Sequence, residues 1–441
     1  MPSPRPTESP LSRRQFLGSS AANAAGVAAG VASGVVPWME EALAGEVSPS
    51  DVVRVGVIGV RNQGRLIAGE LPRIPGVQVT GLCDVDGSLL PAVARQVAEL
   101  QNGKAPRLER DFRSLLDDPA IDAVVIATPD HWHALMAALA MQAGKDVYLE
   151  SPVTHTIDEG IRLADIARQL GRIVQGGLQQ RSGRHFQQAI EYVRGGALGR
   201  VHLARAWTVH QKKTIGVKAD GVAPPDVDYD QWLGPAPVRP FQPNRFHHNW
   251  RWFWEYGSGE LGNWGVQMLD AARWGMGVDS PVQVSASGGK YHFQDDQQTP
   301  DTLSVSFSFP DTTILWEHRL WSNHAPEGRS SAAAFHGERG TLIVDRGGWK
   351  VYGGPEASGV GSGDLLVPHL KNFIDCVRSR SEPVAGLAVS QPSSALCHLG
   401  NIAYRLGTTV NVDPLTGRPR NDTSANRLAE MTYRAPWHWP S

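Results

Sequence analysis

Gly59, Arg61 and Gly64 close the run Val55-Gly56-Val57-Ile58-Gly59-Val60-Arg61-Asn62-Gln63-Gly64, and their spacing suits the binding of phosphate. A β-branched run that empties into a glycine turn opening a helix presents backbone N–H groups and a positive helix end to an anion. In the pattern G-x-G-x-x-G the outer positions are glycine, while Arg61 holds the middle one, where glycine ordinarily lets a pyrophosphate approach. A second run, Val77–Cys83, ends at Asp84, about 20 residues beyond the loop. A carboxylate there either accepts hydrogen bonds from adenosine ribose hydroxyls or caps the helix that follows. The pattern points to a nicotinamide dinucleotide. Asp84 repels a 2′-phosphate and Arg61 attracts one; because Asp84 holds the discriminating position, NAD is favoured and NADP is the alternative.

These residues need a scaffold, and the chain supplies a periodic one. From Val52 to about Gly177, short β-branched runs alternate with amphipathic segments, the βαβ signature of a parallel sheet. The run Ala123–Ala127 stops at Thr128-Pro129-Asp130-His131, and Asp146–Leu149 enters Glu150-Ser151-Pro152 before a helix over 157–170. Ligands of such sheets sit outside the carboxyl ends of the strands, so Thr128, Pro129, His131, Glu150, Ser151 and Pro152 are expected at the cofactor crevice. Beyond Gly177, strand-like stretches at 201–207, 282–287, 303–309, 313–319 and 341–344 are separated by long loops, which predicts a second domain with a mostly antiparallel sheet. Helices over 369–378 and 390–406 are expected to pack back across the domains. The expected class is α/β: a Rossmann-type doubly wound sheet over 45–177, an α/β domain over 178–415 and an extended tail over 416–441.

Composition narrows the function. The chain has 441 residues, 41% hydrophobic and 20% charged, which suits two domains of a soluble globular protein. A net charge of -2 and a pI near 6.7 argue against nucleic acid and leave a small-molecule substrate as the better reading. Cys83, Cys376 and Cys397 lie too far apart for a C-x-x-C metal pair, and no metal site is expected. Seven of the fourteen tryptophans fall between Trp207 and Trp274, a density expected of packing, with one ring able to stack on a sugar face.

The first 44 residues read as a targeting segment. Ser12-Arg13-Arg14-Gln15-Phe16-Leu17, a mildly apolar run and Ala42-Leu43-Ala44 form a twin-arginine signal with its cleavage site, too weakly apolar for a stable membrane span. The expected partner is the twin-arginine export machinery and the expected location periplasmic or otherwise exported. That pathway carries folded proteins, so NAD would be loaded in the cytoplasm and tightly bound.

Four stretches together resemble the Gfo/Idh/MocA oxidoreductases: the glycine loop with Asp84, Ile121 to His133, Ala143 to Glu150, and Gly262-Asn263-Trp264-Gly265 before Asp270. The resemblance covers nearly all of 52–415 and implies an N-terminal Rossmann domain followed by an open-faced α/β domain that commonly supports homo-oligomers. It implies hydride transfer on a sugar, cyclitol or glycoside, or a glycosidase cycle of oxidation, elimination and reduction. Two departures matter. The family's Glu-Lys-Pro is here Glu150-Ser151-Pro152, and its histidine four residues after an Asp or Asn is here Gln267, four after Asn263. Neither serine nor glutamine titrates near neutrality, so another group must move the proton, or the chain is a binding pseudoenzyme. His210, His248 and Asp270 are the candidate acid–base residues; His247 lies beside His248 in the tryptophan-rich loop, and Glu260 and Tyr256, with Asp270, flank the expected crevice. Arg181, Asn263 and Gln267 are the candidate substrate contacts. Asp270 has the alternative of anchoring a loop or capping a helix, and Arg181 that of a solvated surface residue.

The export assignment is directly testable. Replacing Arg13 and Arg14 with lysine is expected to leave unprocessed protein in the cytoplasm, read by fractionation and immunoblotting.

Overall fold

The computed structural model describes residues 52–440. Residues 1–51, including the twin-arginine segment, lie outside the described residues. Six parallel strands form the first sheet: β1 (Val53–Ile58), β2 (Val77–Cys83), β3 (Arg107–Glu109), β4 (Ala123–Ile126), β5 (Asp146–Leu149) and β6 (Val174–Gly176), in the order β3-β2-β1-β4-β5-β6. In β1, β4 and β5 nearly every side chain is buried on both faces, as helices on each side require, and these strands read as nearly unbroken apolar runs for that reason. The order reverses between β1 and β4, which places the crevice between the loops that follow them.

The second sheet has nine strands: β7 (Val201–Val209), β8 (Gln283–Gly289), β9 (Thr302–Ser308), β10 (Thr313–Arg319), β11 (Ser331–Gly337), β12 (Gly340–Asp345), β13 (Gly348–Tyr352), β14 (Ser358–Val360) and β15 (Val410–Asn411). They run β14-β13-β12-β11-β7-β10-β9-β8-β15, antiparallel except where β10 lies parallel to β7. The central strand β11 was not expected. Its core, Ala332-Ala333-Ala334-Phe335, is alanine-rich, and alanine carries little strand propensity; burial between neighbours, not local preference, makes it a strand.

The chain does not stay in its second domain once there. The helix Leu366–Ser379 packs Leu370, Phe373 and Ile374 into the apolar cluster formed by β1, β2 and β4. The helix Leu387–Leu406 spans both domains: Leu396, Leu399 and Ile402 join the second core, and Ser394 Oγ accepts the Val153 N–H at 3.1 Å. The segment expected to be an extended tail carries a helix, Thr423–Ala429, capped by Asp422. Farther on, Tyr433 donates to Glu159 at 2.8 Å and the Trp437 ring meets Trp132 edge to face at 4.8 Å, so the C-terminus seals the first domain. Among the described residues no helix is long and apolar enough to cross a membrane.

Candidate active site

The strand ends and the second domain enclose one cavity of about 1180 Å³. At one end lies the glycine loop. Gly59 adopts φ +82°, where a Cβ would stand 2.7 Å from the Ala127 carbonyl oxygen, and a Cβ on Gly64 would fall 1.7 Å from that of Gly59. Both positions therefore require glycine. Arg61 is exposed at the cap of the helix Asn62–Glu70, whose first turn holds no acidic residue and leaves its N–H groups for an anion.

Asp84 holds this loop. Its carboxylate accepts the Val60 and Asp86 N–H groups, each at 2.9 Å, while the cap of the following turn belongs to Asp86, which accepts the Ser88 N–H at 3.1 Å. Asp84 faces the cavity with lone pairs to spare, and burial pushes its carboxyl up to about 6. A long connection of the second domain closes over this edge. Asp228 N–H donates to the Val85 carbonyl at 2.9 Å, Gly87 N–H to Asp226 at 3.0 Å, and His247 Nε2 lies 2.7 Å from Asp86.

At the other end, Glu150, Ser151 and Pro152 leave β5 and meet a π-helical turn, Leu261–Gly265, that continues into the helix Val266–Met276. Such turns recur at functional sites because they re-aim side chains. Asn263 and Gln267 project from it into the wall. Gln267 Nε2 donates to Ser151 Oγ and to the Gly177 carbonyl, each at 2.8 Å. The two positions that depart from the family pattern thus bond each other as a neutral pair. Gln267 Oε1 and Thr128 Oγ1 are buried on this wall without a partner among the described residues. Orphaned polar atoms beside a glycine cradle and an open helix end fit a dinucleotide and a hydroxylated substrate.

Sequence reasoning missed how the carboxylates here behave. Glu150 Oε1 is near three donors, Gln63 (3.2 Å), Gln179 (3.3 Å) and Tyr148 (3.4 Å), whereas Oε2, among the described residues, accepts only the Ser151 N–H at 3.2 Å. Burial outweighs those bonds and pushes Glu150 up to about 7. Asp130, bonded by Ser258 Oγ, is likewise pushed to about 7 by burial. Arg251 donates to Asn263 Oδ1 at 3.2 Å, and Asn263 in turn donates to Glu260 at 3.1 Å.

Several expected site residues lie elsewhere. His131 is fully buried behind the wall, 3.0 Å from the Trp232 carbonyl and against Tyr256, because the helix Asp130–Gln142 turns it inward. Asp270 and Arg181 form a buried bidentate ion pair at 2.8 and 2.9 Å, with Ser393 also donating to Asp270 and Arg181 over the Trp274 ring. That pair takes neither group to the cavity. His210 sits 3.4 Å from Glu260 and edge-on to Trp264, outside the cavity lining. Burial works against Glu260, but Lys212 at 2.9 Å, with His210, holds it well below the usual carboxylate range. Of the candidate bases only His248 lines the cavity, 3.5 Å from Asn62, and burial followed by the nearby Arg251 pulls it below its ordinary value.

A doubly wound sheet with its glycine loop at the reversal point, covered by an α/β domain that supplies the opposite wall, defines a dinucleotide-binding oxidoreductase fold. The sequence matches the "Oxidoreductase family, NAD-binding Rossmann fold" over 53–178 and the "Oxidoreductase family, C-terminal alpha/beta domain" over 205–315 and 363–439. The chain belongs to the Gfo/Idh/MocA family. Relatives include a glycosyl hydrolase family 109 protein of Saccharopolyspora erythraea, 34% identical over 174 residues (37% of this chain, 38% of the relative). Another, from Shewanella sp. (strain W3-18-1), is 29% identical over 214 residues (46% of each). The chain thus spans less than half the length of these curated relatives. Among solved structures, an aldose-aldose oxidoreductase from Caulobacter crescentus complexed with glycerol superposes with a TM-score of 0.63 at 20% identity, over 82% of this chain and all of that one. A levoglucosan dehydrogenase complexed with NADH and L-sorbose gives 0.64 at 18%, over 82% and 99%. At such identities the likeness establishes the fold.

Two substitutions separate scaffold from site. Asp270→Asn strands Arg181 and is expected to cost about 3–5 kcal/mol of stability in urea unfolding while NAD affinity stays within a factor of about two. Asp84→Ala is expected to weaken NAD binding roughly tenfold to a few hundredfold, read by calorimetry.

Proposed function

We propose that this protein uses NAD to oxidise a secondary alcohol carbon of a sugar, cyclitol or glycoside, with Glu150 taking the hydroxyl proton. The observation that carries the reading is the carboxyl of Glu150, held in the cavity wall beside Ser151 and pushed up to about 7 by burial. A general base works best when its pKa lies near the operating pH, and this one does without lysine or histidine. Oε2 keeps a lone pair for a substrate hydroxyl. Gly177 leaves the room: a Cβ there would stand 2.5 Å from Oε2. Ser151 Oγ, which accepts from Gln267, can donate its own proton to a substrate oxygen, and Gln267 Oε1 can accept a second hydroxyl. Bound NAD supplies the hydride acceptor. With NAD, held by the glycine loop and Asp84, as hydride acceptor, oxidation of the alcohol would leave a ketone and place the hydroxyl proton on Glu150. The superposing carbohydrate oxidoreductases support a sugar-like substrate, and the connection bonded across Val85 to Gly87 supports a tightly held cofactor with slow exchange.

The glycosyl hydrolase names of the relatives favour a second version of the same chemistry. In that version oxidation would acidify the neighbouring C–H, a base of the cavity would remove that proton as the aglycone leaves, water would add in its place, and the hydride would return from the reduced NAD. NAD ends unchanged and the sum is hydrolysis. Such a cycle suits an exported protein with no cytoplasmic pool to recycle NADH, which is where we place this chain; a homo-oligomer built on the second sheet belongs to the same proposal.

The tests use NAD-loaded protein and a panel of sugars and nitrophenyl glycosides. Accumulating reduced nicotinamide marks the dehydrogenase, nitrophenol release without it marks the glycosidase, and neither signal on any substrate contradicts both. Because a base must be ionised to accept a proton, kcat/KM for oxidation is expected to rise with pH through about 7. Glu150→Gln should abolish that limb and lower kcat about a hundredfold to ten-thousandfold. An unchanged profile would exclude Glu150.

A further inference from the structure

Two guanidinium groups in the cavity wall make no ion pair among the described residues. Arg251 is mostly buried, and its polar contacts among the described residues are the His248 carbonyl at 3.0 Å and Asn263 Oδ1 at 3.2 Å, neither of them a carboxylate. Its ring neighbour is Trp250, 5.0 Å from Cζ. Burial pulls its pKa below the ordinary value, and the carboxylates that oppose this, Glu260 and Asp130, are already engaged by Lys212 and Ser258 respectively. Arg346, in the turn between β12 and β13, lies 4.8 Å over the Trp264 ring; its guanidinium makes no hydrogen bond or ion pair among the described residues, and the carboxylate that opposes the effect of burial on it is Glu150. Both side chains line the cavity, and both flank the π-helical turn: Arg251 bonds Asn263 while Arg346 covers Trp264.

A cation sheltered from water, as Arg251 is, is costly unless an anion or several acceptors meet it, while Arg346 stands at the exposed rim of the same wall. Guanidinium groups are suited to planar oxyanions, which they hold through paired hydrogen bonds. We propose that Arg251 and Arg346 bind a carboxylate carried by the substrate, so that the ligand is an acidic sugar such as a hexuronate. This deepens, and rests on, the sugar-oxidising reading given above. The pair brackets Asn263 and Trp264, while Glu150, Ser151 and Gln267 close the same end of the cavity. A carboxylate on one side of a sugar ring would therefore be anchored while a hydroxyl on another side reaches Glu150. The dinucleotide pyrophosphate is an oxyanion of the same general chemistry, and the test separates the two sources.

The test uses the full NAD-loaded protein. Binding of D-galacturonate and D-glucuronate is compared with that of D-galactose and D-glucose by calorimetry, in the parent and in Arg251→Gln and Arg346→Gln, and NAD affinity is measured in all three. The parent is expected to prefer the uronates at least about tenfold. Each variant should lose most of that preference with NAD affinity unchanged. Equal or tighter binding of the neutral sugars by the parent overturns the proposal, as does a variant whose loss falls on NAD and not on the uronates, which assigns the guanidiniums to the pyrophosphate. Should Arg251→Gln fail to fold, Arg346→Gln, at a solvent-facing turn, carries the comparison alone. Uronate binding without redox or hydrolytic turnover would uphold the anion site and sink the proposed activity, so the two failures remain distinct.

Discussion

Gln267 ties the two domains together where the chemistry would occur. One amide nitrogen bonds Ser151 Oγ after β5 and the Gly177 carbonyl after β6, so this side chain registers the helix Val266–Met276 against the strand ends of the first sheet. A charged pair at these positions would carry its own proton; a serine and a glutamine cannot. The surrounding groups then decide where protonation can change, and burial has already brought Glu150 and Asp130 to about 7. The substitutions at 151 and 267 and the raised carboxyls belong to one electrostatic arrangement, in which the cavity floor is uncharged and the walls titrate.

The remaining ionic groups near the floor sort by whether they are matched. Asp270 with Arg181, and Glu260 with Lys212, are closed pairs and act as scaffold. Arg251 and Arg346 face the cavity without such a partner, and the orphaned Thr128 Oγ1 and Gln267 Oε1 face it too. Structural ion pairs consume their own polarity, whereas a binding wall leaves some for the ligand. On that physical distinction Asp270, which looked like a base, is part of the frame.

Much of the fold was legible because its signals are local. The apolar runs at β1, β2, β4 and β5 and the glycine loop each announce themselves within a few residues. The site was legible only in part. Gly59, Arg61, Asp84, Glu150, Ser151, Asn263 and Gln267 all reach the cavity, since strand ends and one helix face place them there. His131 does not, because the helix begins one residue earlier, at Asp130, and the first turn points His131 inward. The pairing of Arg181 with Asp270 joins residues 89 apart, a distance at which no local pattern speaks. The same holds for the alanine-rich strand Ser331–Gly337 and for the tail, whose Tyr433 finds Glu159 across 274 residues.

The central claim, that the neutral Ser151–Gln267 pair leaves Glu150 beside it to titrate near neutrality, is most directly tested by infrared difference spectroscopy of the carboxyl band. Parent and Glu150→Gln spectra are compared between about pH 5 and pH 9, a range spanning ordinary and raised carboxyl values. A band assigned to protonated Glu150 that disappears with a midpoint near 7 is the predicted result. A Glu150 already ionised at the acid end of that range would contradict the account.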